Sequence, residues 1–304
     1  MKTYILEGIV TALSSISHNG GEKNGVVTQL RREKFVQKNG KVIEVPVISG
    51  NSIRGKMRDI AAIEILTKTD GVKIKVDGDS FNLLFTGGSL ESTGSEGINI
   101  EKVRQMRKDM PMLSVLGGSV GNVIIPGKLD MGKMIPIAKE TLHLIPEKFH
   151  GTDEIKSIWE YCQVEMNTRK DDSKDENYRE FLNDDEKKKG NPVQMMYQVE
   201  TLAAGTRFYW KICLRDTNDI ETGAFLQTLQ KWSEQAAQVG GNGRVGHGAL
   251  KVELMETKAI DSNVKFDNDE FVSFVDKYNE EKKDVSSYFE KGISKTLFDS
   301  KDNG

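Results

Sequence analysis

A long polar block in the second half of the chain most constrains the fold. Residues 165–191 read EMNTRKDDSKDENYREFLNDDEKKKGN, and apolar residues return on both sides, around 155–164 and 193–201. A stretch of this composition cannot bury enough apolar surface to join a core. We therefore expect a protruding hairpin with a mobile tip, inserted into a core that the flanking segments build. The alternative is an ordinary, dispensable surface loop.

Strand and helix patterns alternate through the rest of the chain. Strands are predicted on both sides of the hairpin signal Asn39-Gly40, and over 4–17, 193–202, 206–214 and 249–255. Residues 113–139 predict short strands broken by glycine turns. Helices are predicted over 53–67, with Asn51 or Ser52 as N-cap, and over 99–109, 224–239 and the charged tail 268–298. This order indicates an α+β sheet with a large insertion.

Composition excludes several classes of protein. The 304 residues have a mean hydropathy of −0.49, and no apolar run approaches the roughly 20 residues of a membrane span. The N-terminus lacks a signal-peptide core, so we expect a cytoplasmic protein. The two cysteines, Cys162 and Cys213, have no partner at metal-ligand spacing, so neither a zinc site nor a disulfide framework is expected.

Charge is distributed unevenly along the chain. The net charge is −3, yet residues 1–60 hold ten Lys/Arg against five Asp/Glu, and residues 253–304 hold eight against thirteen. A basic surface with an acidic tail elsewhere is compatible with a polyanionic ligand. A solvated surface of mixed charge is the alternative.

The first glycine motif joins a predicted strand to a predicted helix. Residues 50–56, GNSIRGK, match the start of the phosphate loop GxxxxGK[ST], but Met57 stands where a hydroxyl would bind Mg²⁺. Nucleotide hydrolysis is therefore disfavoured. Arg54, Lys56 and Arg58 nevertheless lie beside a helix N-terminus, where free N–H groups and the helix dipole favour anions.

The second glycine motif has the opposite context. Residues 241–246, GNGRVG, match GxGxxG, but they follow a helix and precede a strand, the reverse of the dinucleotide fingerprint. A loop with Arg244 and His247 and no acidic residue over 240–252 can still hold a phosphate backbone through its N–H groups. The alternative is a helix C-cap and a tight connection.

These motifs carry a family resemblance that covers most of residues 1–255 and leaves out the acidic tail. VISGNSIRGKMRDI (47–60) resembles the helix opening of the RAMP superfamily of CRISPR-associated proteins. GGNGRVGHGAL (240–250) resembles the glycine-rich loop after the second helix of that superfamily's RRM-like domain. YQVETLAAGTRFYWKICL (197–214) looks like the paired strands, with a central Ala-Gly-Thr turn, of Cascade backbone subunits. LSVLGGSVGNVIIPGKLDMG (113–132) is similar to the insertion of type IV and type I-D backbone subunits.

The resemblance implies an α+β fold with an RRM-like (ferredoxin-like) core over residues 1–104 and 197–258. A large insertion over 105–196 would carry the polar hairpin as a thumb, and 259–304 would form an acidic helical tail. The implied function is that of a non-enzymatic backbone subunit of a CRISPR ribonucleoprotein effector complex, most like type IV and next type I-D. Copies of the chain would line up along a CRISPR RNA in a helical filament, with other effector subunits, and the guide would pair with target nucleic acid.

The resemblance also implies the binding residues. No catalytic residue, metal, cofactor or membrane is expected. The expected RNA-binding residues are His18, Asn19, Arg31, Arg32, Lys34, Asn51, Ser52, Arg54, Lys56, Arg58, Met195, Met196, Gly241, Asn242, Gly243, Arg244 and His247. The two methionines would be a wedge between guide bases or, alternatively, core filling. The three tryptophans, Trp159, Trp210 and Trp232, are predicted to lie in the core.

A ribonuclease is the alternative function. Type III relatives of this superfamily cut target RNA with an Asp between the first strand and the helix opening. Residues 18–58 contain no Asp, and their acidic residues are Glu22, Glu33 and Glu44. We therefore expect no cleavage. His18 could act as an acid or base, but it lacks a partner acid in the pattern.

Overall fold

The computed structural model describes residues 1–68, 70–88, 99–121, 123–168, 196–234, 237–260 and 268–298. The tip of the predicted polar hairpin lies outside these residues, and so does Met195.

Thirteen strands are found in the described residues. They are β1 (Lys2–Ala12), β2 (Asn19–Asn24), β3 (Val27–Leu30), β4 (Arg32–Val36), β5 (Val42–Pro46), β6 (Gly118–Val120), β7 (Val123–Ile125), β8 (Leu129–Met131), β9 (Ile135–Pro136), β10 (Cys162–Thr168), β11 (Met196–Leu202), β12 (Arg207–Thr217) and β13 (Leu250–Ala259).

Three helices of the described residues have fourteen or sixteen residues, and six others have between four and ten. They are α1 (Gly50–Ile65), α2 (Gly78–Phe81), which continues into a π-helix (Asn82–Thr86), α3 (Ile100–Asp109), α4 (Pro111–Leu116), α5 (Ile158–Tyr161), α6 (Asp219–Glu234), α7 (Asn268–Glu281), α8 (Ser287–Glu290) and α9 (Ile293–Phe298).

The central sheet has the order β13-β1-β12-β8, with β9 also pairing to β12, and all of its pairs are antiparallel. Helix α1 lies between β1 and the short strands β8 and β9 in sequence, and α6 connects β12 to β13. This is the strand order of a split β-α-β unit, as in ferredoxin-like domains. The α+β core predicted from the sequence is therefore confirmed.

Every second side chain of β1 and β12 is buried, and this alternation explains why the two strands occupy the middle of the sheet. Tyr4, Leu6 and Val10 of β1 are buried, as are Phe208 and Trp210 of β12. Their side chains point to one face of the sheet and join the main core with the buried residues of α1 and α6. The hairpin predicted at Asn39-Gly40 is confirmed, because β4 and β5 pair on its two sides.

A second sheet has the order β10-β11-β3-β2, and its β11–β3 pair is parallel. This arrangement corrects the prediction that the strands around the Ala203-Ala204-Gly205 turn pair with each other. Strand β11 pairs with β10 and β12 pairs with β1, so the turn carries the chain from one sheet to the other. The turn is fixed by the N–H of Gly205, which donates to the carbonyl of Ala12 at 2.7 Å.

Several boundaries differ from the sequence predictions because local caps decide them. Strand β1 stops at Ala12 rather than at residue 17. Helix α1 starts at Gly50 with Ser49 as its N-cap, not Asn51 or Ser52. Helix α6 starts at Asp219, five residues earlier than expected, because Asn218 and Glu221 exchange hydrogen bonds of 3.0 and 2.8 Å in a capping box. Residues 111–116, expected in part as a strand, form α4.

The C-terminal helices pack onto the rest of the fold. Helix α7 packs along α6, with Tyr278 in the main core. Helices α8 and α9 build a second core together with α3, α4 and the π-helix. A boundary at residue 104 would divide α3, which spans 100–109.

The three tryptophans do not share one environment. Trp210 and Trp232 are 0% and 4% exposed, and their rings meet edge to face at a centroid distance of 5.9 Å. Trp159 is 51% exposed. The prediction of a core position is therefore wrong for Trp159, because its short helix α5 buries Ile158 rather than the indole.

One buried carboxylate ties α1 to the two helices that cover it. Glu64 of α1 accepts hydrogen bonds from Lys231 of α6 at 2.8 Å and from Lys282 and Tyr278 at 3.0 Å each. Its side chain is only 10% exposed. Burial alone would raise the pKa of Glu64, but the bond from Lys231 and the charge of Lys282 hold it below 4.5.

Replacement of Glu64 should destabilise the fold. The substitution Glu64→Gln leaves two ammonium groups without their counter-ion, and we expect a loss of roughly 1–3 kcal/mol in the free energy of unfolding. That value is below the roughly 3–5 kcal/mol for fully buried pairs, because both lysines are more than one-third exposed. Urea denaturation measures it, with the half-exposed pair partner Lys277→Gln as a control of much smaller effect.

The difference between wild type and Glu64→Gln should also depend on pH. A lowered carboxyl pKa stabilises the fold above the pKa of the unfolded chain, and this contribution is lost as the pH falls through the folded value. The two proteins should therefore converge in stability below about pH 4. An unchanged difference at that pH would contradict the role of the Glu64 charge.

Candidate functional site

The segment that follows β1, Ser15–Asn19, connects several structural elements, and we call it the junction segment. The carbonyls of Ser15 and Ser17 accept from the N–H groups of Gly248 and Gly241 at 2.8 and 2.7 Å. Ile16 and Leu202 exchange both backbone hydrogen bonds, which attaches the segment to β11. The loop of residues 240–250, which we call the glycine loop, and the second sheet are thus both bonded to the junction segment.

His18 of the junction segment holds the start of α1. The N–H of Ser49 donates to Nε2 of His18 at 3.1 Å, and the hydroxyl of Ser49 caps the helix by accepting from the N–H of Ser52 at 3.3 Å. The carbonyl of His18 accepts from the N–H of Arg31 at 2.8 Å. His18 is 8% exposed, so it positions these two segments and presents little surface to a ligand.

Gly50 allows the helix to begin this close to β8. A Cβ atom at Gly50 would lie 2.1 Å from the carbonyl oxygen of Met131, which no side chain tolerates. Asn51 is exposed and Ser52 is half-buried in the first turn, which contains no acidic residue. Residues 50–56 are helical, so they do not form the open loop of a nucleotide-binding motif.

Two of the three predicted cations of α1 are used within the protein. Arg58 is 8% exposed and donates to the carbonyls of Leu83, Leu116 and Gly117 at 3.3, 3.3 and 2.9 Å. Arg54 donates to the carbonyl of Leu129 at 3.2 Å and also to that of Leu116. The two guanidinium groups therefore cap the C-terminal end of α4.

Burial accounts for the electrostatics of this pair. It lowers the pKa of Arg58 to about 10, with a further contribution from the charge of Arg54. Both arginines therefore have a structural role, and the buried Arg58 presents little surface to RNA, whereas Arg54 is half-buried. Lys56 projects from another side of the helix and is exposed.

The glycine loop is shaped by its contacts with the junction segment. Gly240 has a φ of +75°, and a Cβ atom there would lie 2.4 Å from the carbonyl oxygen of Ser17. Asn242 is left-handed with a φ of 60°, and its amide donates to the hydroxyl of Ser17 at 3.2 Å. Gly243–Val245 then form a 3-10 turn. Arg244 in this turn is exposed and makes no hydrogen bond or ion pair within the described residues.

His247 lies behind the glycine loop instead of on its surface. It is 5% exposed, and its Nδ1 lies 3.0 Å from the hydroxyl of Ser15. Its Nε2 lies 3.6 Å from Glu165 of β10, which also accepts from Thr201 at 2.8 Å. Burial would raise the pKa of Glu165, but the hydrogen bonds from Thr201 and Ser15 and the nearby His247 lower it overall. His247 thus joins the loop to the second sheet.

The predicted cations of residues 31–34 also divide into exposed residues and residues paired within the protein. Arg31 and Lys34 are exposed, and Asn19 is half-buried. Arg32 forms an ion pair with Glu200 of β11, which also accepts from the N–H of Leu30 at 3.0 Å. Met196 begins β11, while Met195 lies outside the described residues.

The site that results is a set of exposed and half-buried polar and basic groups around the junction segment. It consists of Asn19, Arg31, Lys34, Asn51, Ser52, Lys56, Gly241, Asn242, Gly243 and Arg244. Five buried or half-buried residues position this set through their contacts within the protein. They are His18, Arg32, Arg54, Arg58 and His247. Sequence patterns gave no signal for Ser15, Ser49 or Glu200, whose roles depend on contacts between distant segments.

Within the described residues, no three His, Cys, Asp or Glu side chains group closely enough to hold a metal ion. In the same residues, none of the helices is both long enough and apolar enough to cross a membrane.

Comparisons with known proteins place the fold. No protein-family model matches this chain, and no curated protein matches it. A solved structure described as a "Type IV-B CRISPR Complex" contains a chain that matches it with a TM-score of 0.53 and 19% sequence identity. The match covers 87% of this chain and 93% of that chain. This chain has the fold of a chain in that CRISPR complex. The fold expected from the RAMP-like motifs is thereby confirmed over almost the whole length.

We expect the stability of the site to depend on pH through His18. Burial, and secondarily the charge of Arg31, lowers the pKa of His18 below 6.5, so the neutral ring accepts from Ser49. This contribution is complete above about pH 6.5 and is lost as the pH falls through the lowered value. Thermal unfolding between about pH 7.5 and about pH 5 should show this loss.

The variant His18→Gln, whose amide oxygen can accept the same bond, should lack that part of the pH dependence. His18→Ala should lose roughly 1–3 kcal/mol at neutral pH, because the N–H of Ser49 is left unsatisfied. His143→Gln is the matched control and should keep the wild-type profile. An identical profile for wild type and His18→Gln would contradict this role.

Proposed function

We propose that this chain is a backbone subunit of a CRISPR ribonucleoprotein effector complex. In this proposal the chain binds the guide RNA along its phosphate backbone. Copies of the chain, together with other effector subunits, form a helical assembly that presents the guide for pairing with target nucleic acid. The observation that carries the proposal is the fold shared with a chain of the Type IV-B CRISPR complex over 87% of this sequence.

The chemistry of the candidate site supports binding of a phosphate backbone. Four cations around the junction segment are exposed, namely Arg31, Lys34, Lys56 and Arg244. Each lies on a segment that is hydrogen-bonded to the junction segment or on one that follows directly from such a segment. The start of α1 adds partial positive charge without any sequence preference, whereas most N–H groups of the glycine loop bond within the protein. Such a surface suits a protein that leaves sequence reading to base pairing.

The same site supports a scaffold rather than a nuclease. Of the three acidic residues in the first extended region, Glu33 is ion-paired with Lys133 and Glu44 lies opposite Lys34 in the β4–β5 hairpin. Glu22 is exposed on β2. No two of these acids share a hydrogen-bond partner within the described residues. The two buried imidazoles at the site have other partners, since His18 accepts from Ser49 and His247 lies against Ser15 and Glu165. We therefore propose that the chain does not cleave RNA.

Neutralising the exposed cations should weaken RNA binding regardless of sequence. For the triple variant Lys34→Gln, Lys56→Gln, Arg244→Gln we expect the same loss of affinity for single-stranded RNAs of unrelated sequence. The plot of log affinity against log salt should become shallower by roughly 0.7 per phosphate contact removed. Filter binding or fluorescence anisotropy over a salt series measures both quantities.

A matched triple variant is available beside the second core. Lys73 and Lys75 are exposed near the C-terminal end of α1, and Lys291 is exposed between α8 and α9. Lys73 and Lys75 are separated from the site by the helix, which is about 24 Å long. Their replacement by Gln removes the same charge and should leave the salt slope unchanged. Equal losses in both triple variants would show general charge attraction and would contradict the proposed site.

Assembly with RNA tests the scaffold itself. A subunit that follows a guide repeats one heterologous contact, and this generates open helical assemblies rather than closed dimers. Electron microscopy of the protein with a long single-stranded RNA should show filaments or arcs of several copies. A monomer or a twofold-symmetric dimer on the same RNA would contradict the proposal, and shortened RNA recovered from the particles would favour the nuclease instead.

A further inference from the structure

The exposed indole of Trp159 has the features of a binding surface. Large aromatic side chains are usually well buried, and the other two tryptophans of this protein are 0% and 4% exposed. Trp159 leaves 51% of its surface accessible. An indole exposed to water lacks the large stabilisation that burial would give. Packing within the monomer therefore does not explain the position of this side chain.

The backbone under Trp159 is held firmly although the ring is not buried. The N–H of Ile158 donates to Glu140 at 2.8 Å, and the N–H of Ser157 donates to Glu160 at 3.1 Å. Ile158 itself is fully buried in the main core. Helix α5 is therefore clamped at its start, and it projects the indole from a fixed base.

An arginine lies against the ring. The guanidinium carbon of Arg32 lies 5.7 Å from the centroid of the Trp159 ring. The ion pair with Glu200 fixes that guanidinium, whose side chain is only 17% exposed. Arg32 therefore cannot leave to bind a phosphate, but it adds positive charge to the ring's surroundings.

The surroundings favour a polyanion with aromatic bases. Lys34 is two residues beyond Arg32 on β4, so both side chains leave the same side of the strand, about 7 Å apart. Arg31 precedes Arg32 directly and belongs to the candidate site. An exposed indole backed by a guanidinium, with exposed cations next to it, is the combination that single-strand binders use.

We propose that Trp159 is a stacking platform for one base of the single-stranded RNA that this protein binds. In this arrangement the indole stacks on the base, Arg32 backs the indole, and Lys34 neutralises a neighbouring phosphate. The inference rests on the proposed function, and it adds a base contact to a site otherwise built for the phosphate backbone. Because every base presents a π-face, the contact does not select a sequence.

The test compares Trp159→Ala with wild type on two ligands. The first is a short single-stranded RNA, and the second is a ribose-phosphate chain of the same length without bases. We expect a loss of roughly 5- to 100-fold in affinity for the RNA and no loss for the abasic chain. Trp159→Phe should retain part of the affinity. Val164→Ala removes an exposed apolar side chain from the neighbouring strand β10 and should change neither ligand's affinity.

Fluorescence gives a second readout in the unmodified protein. The other two tryptophans are buried, so RNA binding should change the emission of Trp159 alone, and the change should be absent in Trp159→Phe. An unchanged RNA affinity of Trp159→Ala would overturn the inference. An equal loss on the abasic chain would overturn it as well, because the contact would then not involve a base.

Three further outcomes separate the inference from the function on which it rests. If Trp159→Ala binds RNA normally but fails to self-associate without RNA, the indole serves a contact between protein copies and the stacking inference is overturned. If wild type binds no RNA at all, the proposed function fails together with the inference. If the Lys34, Lys56 and Arg244 variants lose RNA affinity while Trp159→Ala does not, only the inference fails.

Discussion

The arrangement of this protein depends on the continuation of β1 beyond the sheet. Strand β1 is paired on both sides, with β12 and β13, so its end cannot move without the core. The backbone carbonyls from Ser15 to His18 accept hydrogen bonds from three partner segments, with Ser15 and Ser17 both bonded to the glycine loop. Since buried backbone groups must be hydrogen-bonded, these four bonds leave the glycine loop, β11 and the β3–β4 boundary little choice of position. The candidate site is therefore positioned by the continuation of the central strand β1.

Much of the fold follows from local signals in the sequence. The turn at Asn39-Gly40 determines its hairpin by itself, and the alternation of apolar residues in β1 and β12 places both in the core. What failed was the pairing of β11 with β12. Two strands joined by a short glycine turn normally form a hairpin, but here each strand has a better partner far away in the chain. Propensity and spacing contain no information about such long-range competition.

The features of the candidate site also fall into those that local sequence signals predict and those that depend on contacts between distant segments. The glycine loop and the helix start could be selected as candidate binding segments because their residue types are unusual in plain connections. Which cations reach solvent could not be predicted. Arg54 and Arg58 are four residues apart and share one face of α1, whereas Lys56 lies on another, and only the position of α4 decides which face is covered. Arg32 likewise has its ion-pair partner, Glu200, 168 residues away.

The two arginines that cap α4 have a consequence for exchanging parts between related proteins. Arg54 and Arg58 belong to helix α1, but the carbonyls they bind at Leu116 and Gly117 belong to the segment 105–196, which the motif resemblance predicts to be an insertion. A graft that replaces this segment with a foreign one would remove both carbonyl acceptors of Arg54 and would leave the buried Arg58 with only the carbonyl of Leu83. The insertion is therefore not a detachable module. Any transplant must carry both arginines with it, or supply carbonyls at the same two places.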